Sequence, residues 1–385
     1  MPHSSQHLDV ASYEVLADEF DPDRYDPREW ARAAREAGAK YIVLTAKHHD
    51  GFCLFDTKTT DYCATKRGPK RDLVGPFVEA ARAEGLKVGL YFTLIDWHDP
   101  DFATIPIRRS IQSPKPNTYD PIRWWSFHQR FVEQLRELLT NYGRIDLLWF
   151  DVAGFGADRW RSDEVKRMML NLQPHLVIND RLPDAGDYET PEQFVPTHPP
   201  EEWWETCMTM NRQWAYHSDA ASYKSPVKLL DTLLEVASKG GNLLLNVGPK
   251  PDGTWPNEAT ERLRTIGEWL RHSGDSIIGT KRVPDHYPPS YYGPMTMKEN
   301  TLYLHYRDIP RFPLEVREIG GKVRGVRLLK TGEPLPFESQ EIHGYWGGLD
   351  GTRIVSRTTI QLKPEQCDPW NTVVAIDFEE QPVWP

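Results

Sequence analysis

The chain has 385 residues, 39% of them hydrophobic and 26% charged, the balance of a globular protein with room for one large domain and a smaller one. A formal net charge of −10 argues against a nucleic-acid partner, because a phosphate backbone asks for a basic face. No apolar run is long enough to span a bilayer, so no membrane partner is expected either. Four cysteines (Cys53, Cys63, Cys207, Cys367) lack any metal-ligand spacing and read as reduced thiols. The opening residues carry no basic or apolar leader pattern, which points to a cytoplasmic location. The 14 Trp and 16 Tyr supply flat rings with one polar handle. Such rings suit the C–H faces of a sugar as well as a core.

From residue 25 to about 275, strand-like and helical stretches alternate. Strands are expected at Tyr41–Ala46, Lys87–Thr93, Asp146–Asp151, Leu176–Asn179, Glu205–Thr209 (a weak pattern) and Leu243–Val247. Several are apolar without alternation, as parallel strands covered on both faces should be. Helices are expected at Pro27–Ala37, Asp72–Glu84, Trp124–Asn141, Asp163–Leu172, Pro226–Lys239 and Asn257–His272. Asp26-Pro27 is a helix-start signal, and Gly38 and Gly85 sit where a left-handed residue ends a helix. Repeated strand–helix units imply a parallel sheet, doubly wound or closed into a barrel. No glycine-rich loop follows the first strand, so dinucleotide binding has no support. After Gly279 short runs at Thr301–Tyr306, Val323–Leu329, Thr358–Leu362 and Thr372–Phe378 predict a small all-β domain, a sandwich, joined through the proline-rich stretch Gly279–Tyr292. The domains expected are therefore 1–279 and 280–385.

Polar residues gather at the C-terminal ends of several strands, which is where barrel enzymes build active sites. His48 and His49, in KHHDGF, follow the first strand and could bond adjacent hydroxyls. Asp151 closes LLWFD, where a carboxylate is costly unless bonded or functional. Asp146 opens that strand and belongs to the opposite end. Asn179-Asp180-Arg181 leads into GDYETPE, where several carboxylates crowd one loop. Glycoside hydrolysis needs two carboxyl groups, ~5 Å apart in retaining and roughly 6.5–9.5 Å apart in inverting enzymes. GGNLLLNVGP reads mainly as architecture, with Asn246 ending its strand, and the Trp203-Trp204-Glu205 and Trp214 region reads as either core or a sugar-stacking wall.

In order, KHHDGF, LLWFD, NDR with GDYETPE, WWETCMTMNRQWAYH, GGNLLLNVGP and GEWLRHSGDSIIGT resemble family 29 of the glycoside hydrolases, the α-L-fucosidases, from about Leu8 to Thr280. The resemblance implies a (β/α)-barrel of TIM type followed by a β-sandwich, and a retaining exo-α-L-fucosidase acting on fucosylated oligosaccharides or glycoconjugates. It implies Asp151 as nucleophile and Glu192 as acid/base, with Glu189 the second choice. Fucose would be held by His48, His49, Tyr91, Trp149 and Arg181. It implies no cofactor and no metal, and since family members often self-associate it leaves room for a homo-oligomer. Family members open with a strand ending in a His-Trp-Gly motif. This chain opens at HLDVASYEVLADEFDP, which matches the segment after it, so the first barrel strand is expected to be absent. The start is then an internal methionine of a longer product or a truncation. The alternative function is an impaired fucose-binding pseudoenzyme or remnant, and a third reading is a barrel acting on another sugar such as a galactoside.

Overall fold

A computed structural model describes residues 10–102, 120–218, 222–284, 293–344 and 353–384. The chain divides into two compact units, Met1–Pro191 with Pro200–Tyr223 and Leu245–Arg264, and Glu192–Pro199 with Lys224–Leu244 and Thr265–Pro385.

The first unit is organised by a four-stranded sheet of β1 (Tyr41–Lys47), β2 (Lys87–Thr93), β3 (Leu147–Asp151) and β4 (Val177–Ile178), paired in that order and all parallel. Leu148, Trp149 and Phe150 of β3 are all buried, which is why the strand is apolar on successive residues instead of alternating. Helices Pro27–Glu36, Val74–Ala83, Pro121–Asn141 and Ser162–Leu172 intervene between or precede the strands. Their starts follow the sequence signals. The Asp26 carboxylate accepts from the Arg28 backbone N–H with Pro27 at the first helical position, and Asp120 does the same for Ile122 and Arg123 ahead of Pro121. The Asp-Pro pair at 120–121 starts that helix three residues before the expected Trp124. Gly38 and Gly85, with φ of 85° and 73°, take the left-handed conformation that lets the chain leave a helix and enter β1 and β2.

The core of this unit joins Leu90 and Phe92 of β2 and Leu148 and Phe150 of β3 to Phe77, Phe127, Phe131 and Trp160 of the helices. Each such side chain withdrawn from water contributes about 1.5–3 kcal/mol. The parallel register sets Tyr91 beside Trp149 and Thr93 beside Asp151, so polar residues from two strands reach the C-terminal edge at one level. The strand β5 (Glu205–Thr209), expected from a weak pattern, is wholly buried. The strand β6 (Asn242–Asn246) and the helix Asn257–Ser273 both cross the division between the units.

In the second unit two antiparallel sheets share one apolar core. One runs β11 (Val323–Leu328), β14 (Thr372–Phe378), β9 (Thr301–Tyr306), β8 (Met295–Lys298) and β7 (Lys281–Arg282). The other runs β10 (Leu314–Arg317), β13 (Arg353–Ile360) and β12 (Phe337–Gly344). Leu302, Leu304, Leu314, Val316, Val326, Ile360, Val374 and Ile376 meet between them, each sheet burying one face there. β7 lies inside the stretch expected to be linker, whose residues 285–292 fall outside the described ones.

Candidate active site

Asp151 is the last residue of β3, and both of its oxygens are engaged. Oδ1 accepts from Arg181 Nη1 at 2.7 Å and from the Val152 backbone N–H at 2.9 Å. Oδ2 accepts from the Tyr91 hydroxyl at 2.6 Å and lies 3.6 Å from His49 Nε2. The contact from Val152 needs a sharp backbone turn, and Val152 has a φ of 46°. A β-branched residue rarely adopts that left-handed conformation, which stores about 1–3 kcal/mol of strain at the point where the strand ends.

The aromatic residues around Asp151 form a continuous stack. The His48 ring lies 5.4 Å from Tyr91 at an interplanar angle of 5°, and Tyr91 lies 5.6 Å from Trp149 at 15°. The Arg181 guanidinium sits over the Trp149 ring, 4.9 Å from its centroid, a cation–π contact. Arg181 is fixed further by Thr190, with Nε 3.2 Å from the Thr190 hydroxyl and Nη2 3.3 Å from its carbonyl oxygen. The His49 Nδ1 lies 2.6 Å from the Thr93 hydroxyl. Burial lowers the His49 imidazole below its ordinary value, Asp151 opposing and Lys47 adding to that shift. In the tautomer whose Nδ1 accepts from Thr93, the neutral ring has its proton on Nε2, on the side of Asp151. The structure therefore brings together His48, His49, Tyr91, Trp149, Arg181 and Asp151, which the sequence had scattered over 134 positions from 48 to 181.

The turns carrying these residues are braced from beneath. Lys47 is buried, donating to Asp96 Oδ2 at 3.2 Å and Gln134 Oε1 at 3.0 Å. Asp96 Oδ1 in turn accepts from the backbone of His98 and Asp99, and the Trp97 N–H donates to the His49 carbonyl at 2.8 Å. Gly51 permits this approach, since a Cβ there would stand 2.3 Å from Asp96 Oδ1. On the other side Asn179 takes over where β4 stops. Its side-chain amide accepts from the Phe150 N–H at 2.8 Å and donates to the Phe150 carbonyl at 2.9 Å.

Several other carboxylates of the sequence turn out to be structural. Asp187 accepts from the Ile178 N–H and pairs with Lys166 at 2.7 Å, and Asp180 accepts from the Thr190 hydroxyl. Asp146, at the far end of β3, accepts from the Val88 N–H and pairs with Arg144. Glu189 is exposed in the first unit, its backbone bridging to Trp204; Glu192 is exposed and opens the segment that groups with the second unit. Of the aromatic wall, Trp204 is only 1% exposed and belongs to the interior, whereas Trp203 is 72% exposed. Asn246 spends its amide on the Trp214 carbonyl at 2.7 Å. Gly248 is required, because a Cβ there would lie 2.5 Å from the Tyr216 nitrogen.

Two participants had no clear signal in the sequence. Thr93 ends β2 beside Asp151 and meets His49. Glu205 is 3% exposed; its Oε1 accepts from the Trp149 indole N–H at 2.9 Å and its Oε2 from the Tyr41 hydroxyl. The strand-end rule that singles out Asp151 would have found Thr93, but Glu205 begins its strand and escapes that rule.

Among the described residues, one cluster could converge on a metal ion: His48, His49 and Asp151, with ligand atoms within 4.8 Å of one another. The Arg181 cation at 2.7 Å from the same carboxylate disfavours a second positive charge there. What the arrangement offers instead is an oriented carboxylate at the end of a strand, ringed by hydrogen-bonding and aromatic groups.

That geometry agrees with what the chain is similar to. The α-L-fucosidase family profile matches residues 2–275. The chain belongs to the α-L-fucosidase family. Its members are glycoside hydrolases. The human plasma α-L-fucosidase is 32% identical over 360 residues, covering 86% of this chain and 73% of the relative. Among solved structures, α-L-fucosidase isoenzyme 1 from Paenibacillus thiaminolyticus is 36% identical with a TM-score of 0.82, covering 97% of this chain and 91% of that one. An α-L-fucosidase of family 29 from Bacteroides thetaiotaomicron, trapped as a covalent intermediate with 2-fluoro-fucosyl fluoride, is 28% identical with a TM-score of 0.80, covering 96% and 86%.

Proposed function

We propose that this fucosidase is a retaining exo-enzyme that removes terminal α-L-fucosyl groups from oligosaccharides or glycoconjugates, with Asp151 as nucleophile and Glu192 as acid/base. The observation that carries the reading is the clamp on Asp151. Its Oδ1 accepts two hydrogen bonds, from Arg181 and Val152, while Oδ2 accepts one within hydrogen-bond distance, from Tyr91. A carboxylate oxygen has two lone pairs, so Oδ2 is the atom left to attack the anomeric carbon. The C–O bond to the aglycone breaks as the Oδ2–C bond forms, and Glu192 gives its proton to the departing oxygen. Glu192 then takes a proton from water as that water displaces Asp151. His48, His49 and Arg181 hold the sugar hydroxyls, and Tyr91 and Trp149 offer apolar faces to the ring and its methyl group. An intact clamp on the nucleophile speaks against a relaxed binding remnant.

The finer architecture proposed is a TIM-type (β/α)-barrel over residues 1–279 and a sandwich over 280–385. Parallel strands separated by helices, with the polar cluster at their C-terminal ends, support the first part.

The test is hydrolysis of an aryl α-L-fucoside followed by NMR of the first product. Release of α-fucose supports retention, and β-fucose would overturn it. Azide assigns the carboxylates. A Glu192→Ala enzyme should be rescued to give α-fucosyl azide, and an Asp151→Gly enzyme to give the β-anomer. Rescue of Glu189→Ala in place of Glu192→Ala would transfer the acid/base role.

A further inference from the structure

We infer that Glu205 is a positioning residue for the nucleophile, acting through the indole of Trp149. The inference rests on Asp151 being the nucleophile. Glu205 is buried at the start of β5, with one oxygen on the Trp149 indole N–H at 2.9 Å and the other on the Tyr41 hydroxyl. The indole has a single polar hydrogen, so this bond fixes the rotation of the ring about its own axis.

Both faces of consequence then follow from that ring. Arg181 lies over it at 4.9 Å, and Tyr91 stacks on it at 5.6 Å. These are the two side chains that hold the separate oxygens of Asp151. Glu205 thus reaches each oxygen of the nucleophile through two intermediaries, Trp149 and then Arg181 or Tyr91. A carboxylate suits the task because it only accepts, and both neighbours donate. Its interior position lifts its carboxyl above the ordinary range, so the site carries a cost that packing alone would not require.

A double-mutant cycle tests the coupling. Glu205→Leu leaves the buried indole N–H unpaired and should lower kcat/KM about tenfold to a hundredfold on an aryl fucoside, with most of the loss in kcat. In a Trp149→Phe background, which has no N–H to satisfy, the same substitution should cost less than about twofold, as coupled residues are non-additive. Equal losses in both backgrounds would overturn the inference, since a merely structural Glu205 would act independently of Trp149. If Glu205→Leu does not fold, Glu205→Gln closes the same cycle, with a loss of roughly threefold in the wild type and none in Trp149→Phe. The Trp149 indole 1H–15N resonance supplies a reading independent of turnover. It should move in Glu205→Gln, and an unmoved resonance would overturn the inference even in an active enzyme. A wild-type chain with no fucosidase activity but a shifted indole resonance would instead indict the functional reading.

Discussion

The strand-end site of the first unit and the buried polar groups of the second unit are built from the same residue types, and they use them in opposite ways. On the face of the five-stranded sheet turned away from the other sheet, His305 is wholly enclosed, facing the Thr296 hydroxyl at 3.2 Å, and Trp269 of the helix Asn257–Ser273 donates to the Asn371 carbonyl at 2.9 Å. Asp368 is closed off by Lys330 and by the backbone of Trp370 and Asn371. Those polar groups are consumed by the fold. At the strand ends, His49, Tyr91, Arg181 and Asp151 also bond to one another, but all four remain partly exposed. A cluster of polar side chains marks chemistry when its members converge at an accessible edge with a charge held in place; when they are sealed, it marks architecture.

The sharpest way to break this contrast is at Asp151. Asp151→Asn keeps the shape and removes the nucleophile, so kcat should fall roughly 10⁴-fold with no loss of thermal stability; unfolding of the variant would place Asp151 with the architectural groups. The next effect is at Lys47, which lies under the site but is sealed as tightly as His305. Lys47→Met leaves the buried Asp96 carboxylate without its cation and should cost about 3–5 kcal/mol in urea unfolding. A loss of activity with unchanged stability would move Lys47 into the chemistry.

The smallest effect concerns acid. Burial pushes the His305 imidazole down to about 4, whereas the unfolded chain takes up that proton near the ordinary value of about 6.5. The folded state is favoured above that ordinary value, and the contribution is lost as pH falls through about 4. Between pH 7 and 4.5 the wild type should therefore lose roughly 2–3 kcal/mol more stability than His305→Gln. Parallel slopes for the two proteins would show that His305 does not titrate in that window.

Much of this was legible before folding, for identifiable reasons. Asp151, His48 and Arg181 follow apolar runs, and a parallel register places such residues on one edge. The helix from Pro27 announced itself by its Asp-Pro start. What was hidden depends on contacts between distant segments or on polar strands. Glu205 meets Tyr41 across 164 positions, and nothing local to either residue announces that contact. Of WWE, only Trp203 faces water, because the chain straightens into β5 just there. The strand β10, LEVR, alternates but is only four residues long, and β12, FESQEIHG, carries too much polarity to show an apolar pattern.

The amide of Asn179 has a consequence for how the site can change. β4 supplies only two residues of strand, and the Asn179 side chain adds the next rung against Phe150 in place of a peptide group. The main chain is thereby released to turn toward Arg181 without unzipping the sheet. Residues 182–187 are moored by the bond from the Asp180 N–H to the Tyr188 carbonyl at 3.0 Å, by Asp187, which accepts from the Ile178 N–H and pairs with Lys166, and by the buried Leu182 and Ala185. Changes in the loop that keep Leu182, Ala185, Gly186 and Asp187 leave the guanidinium at its post.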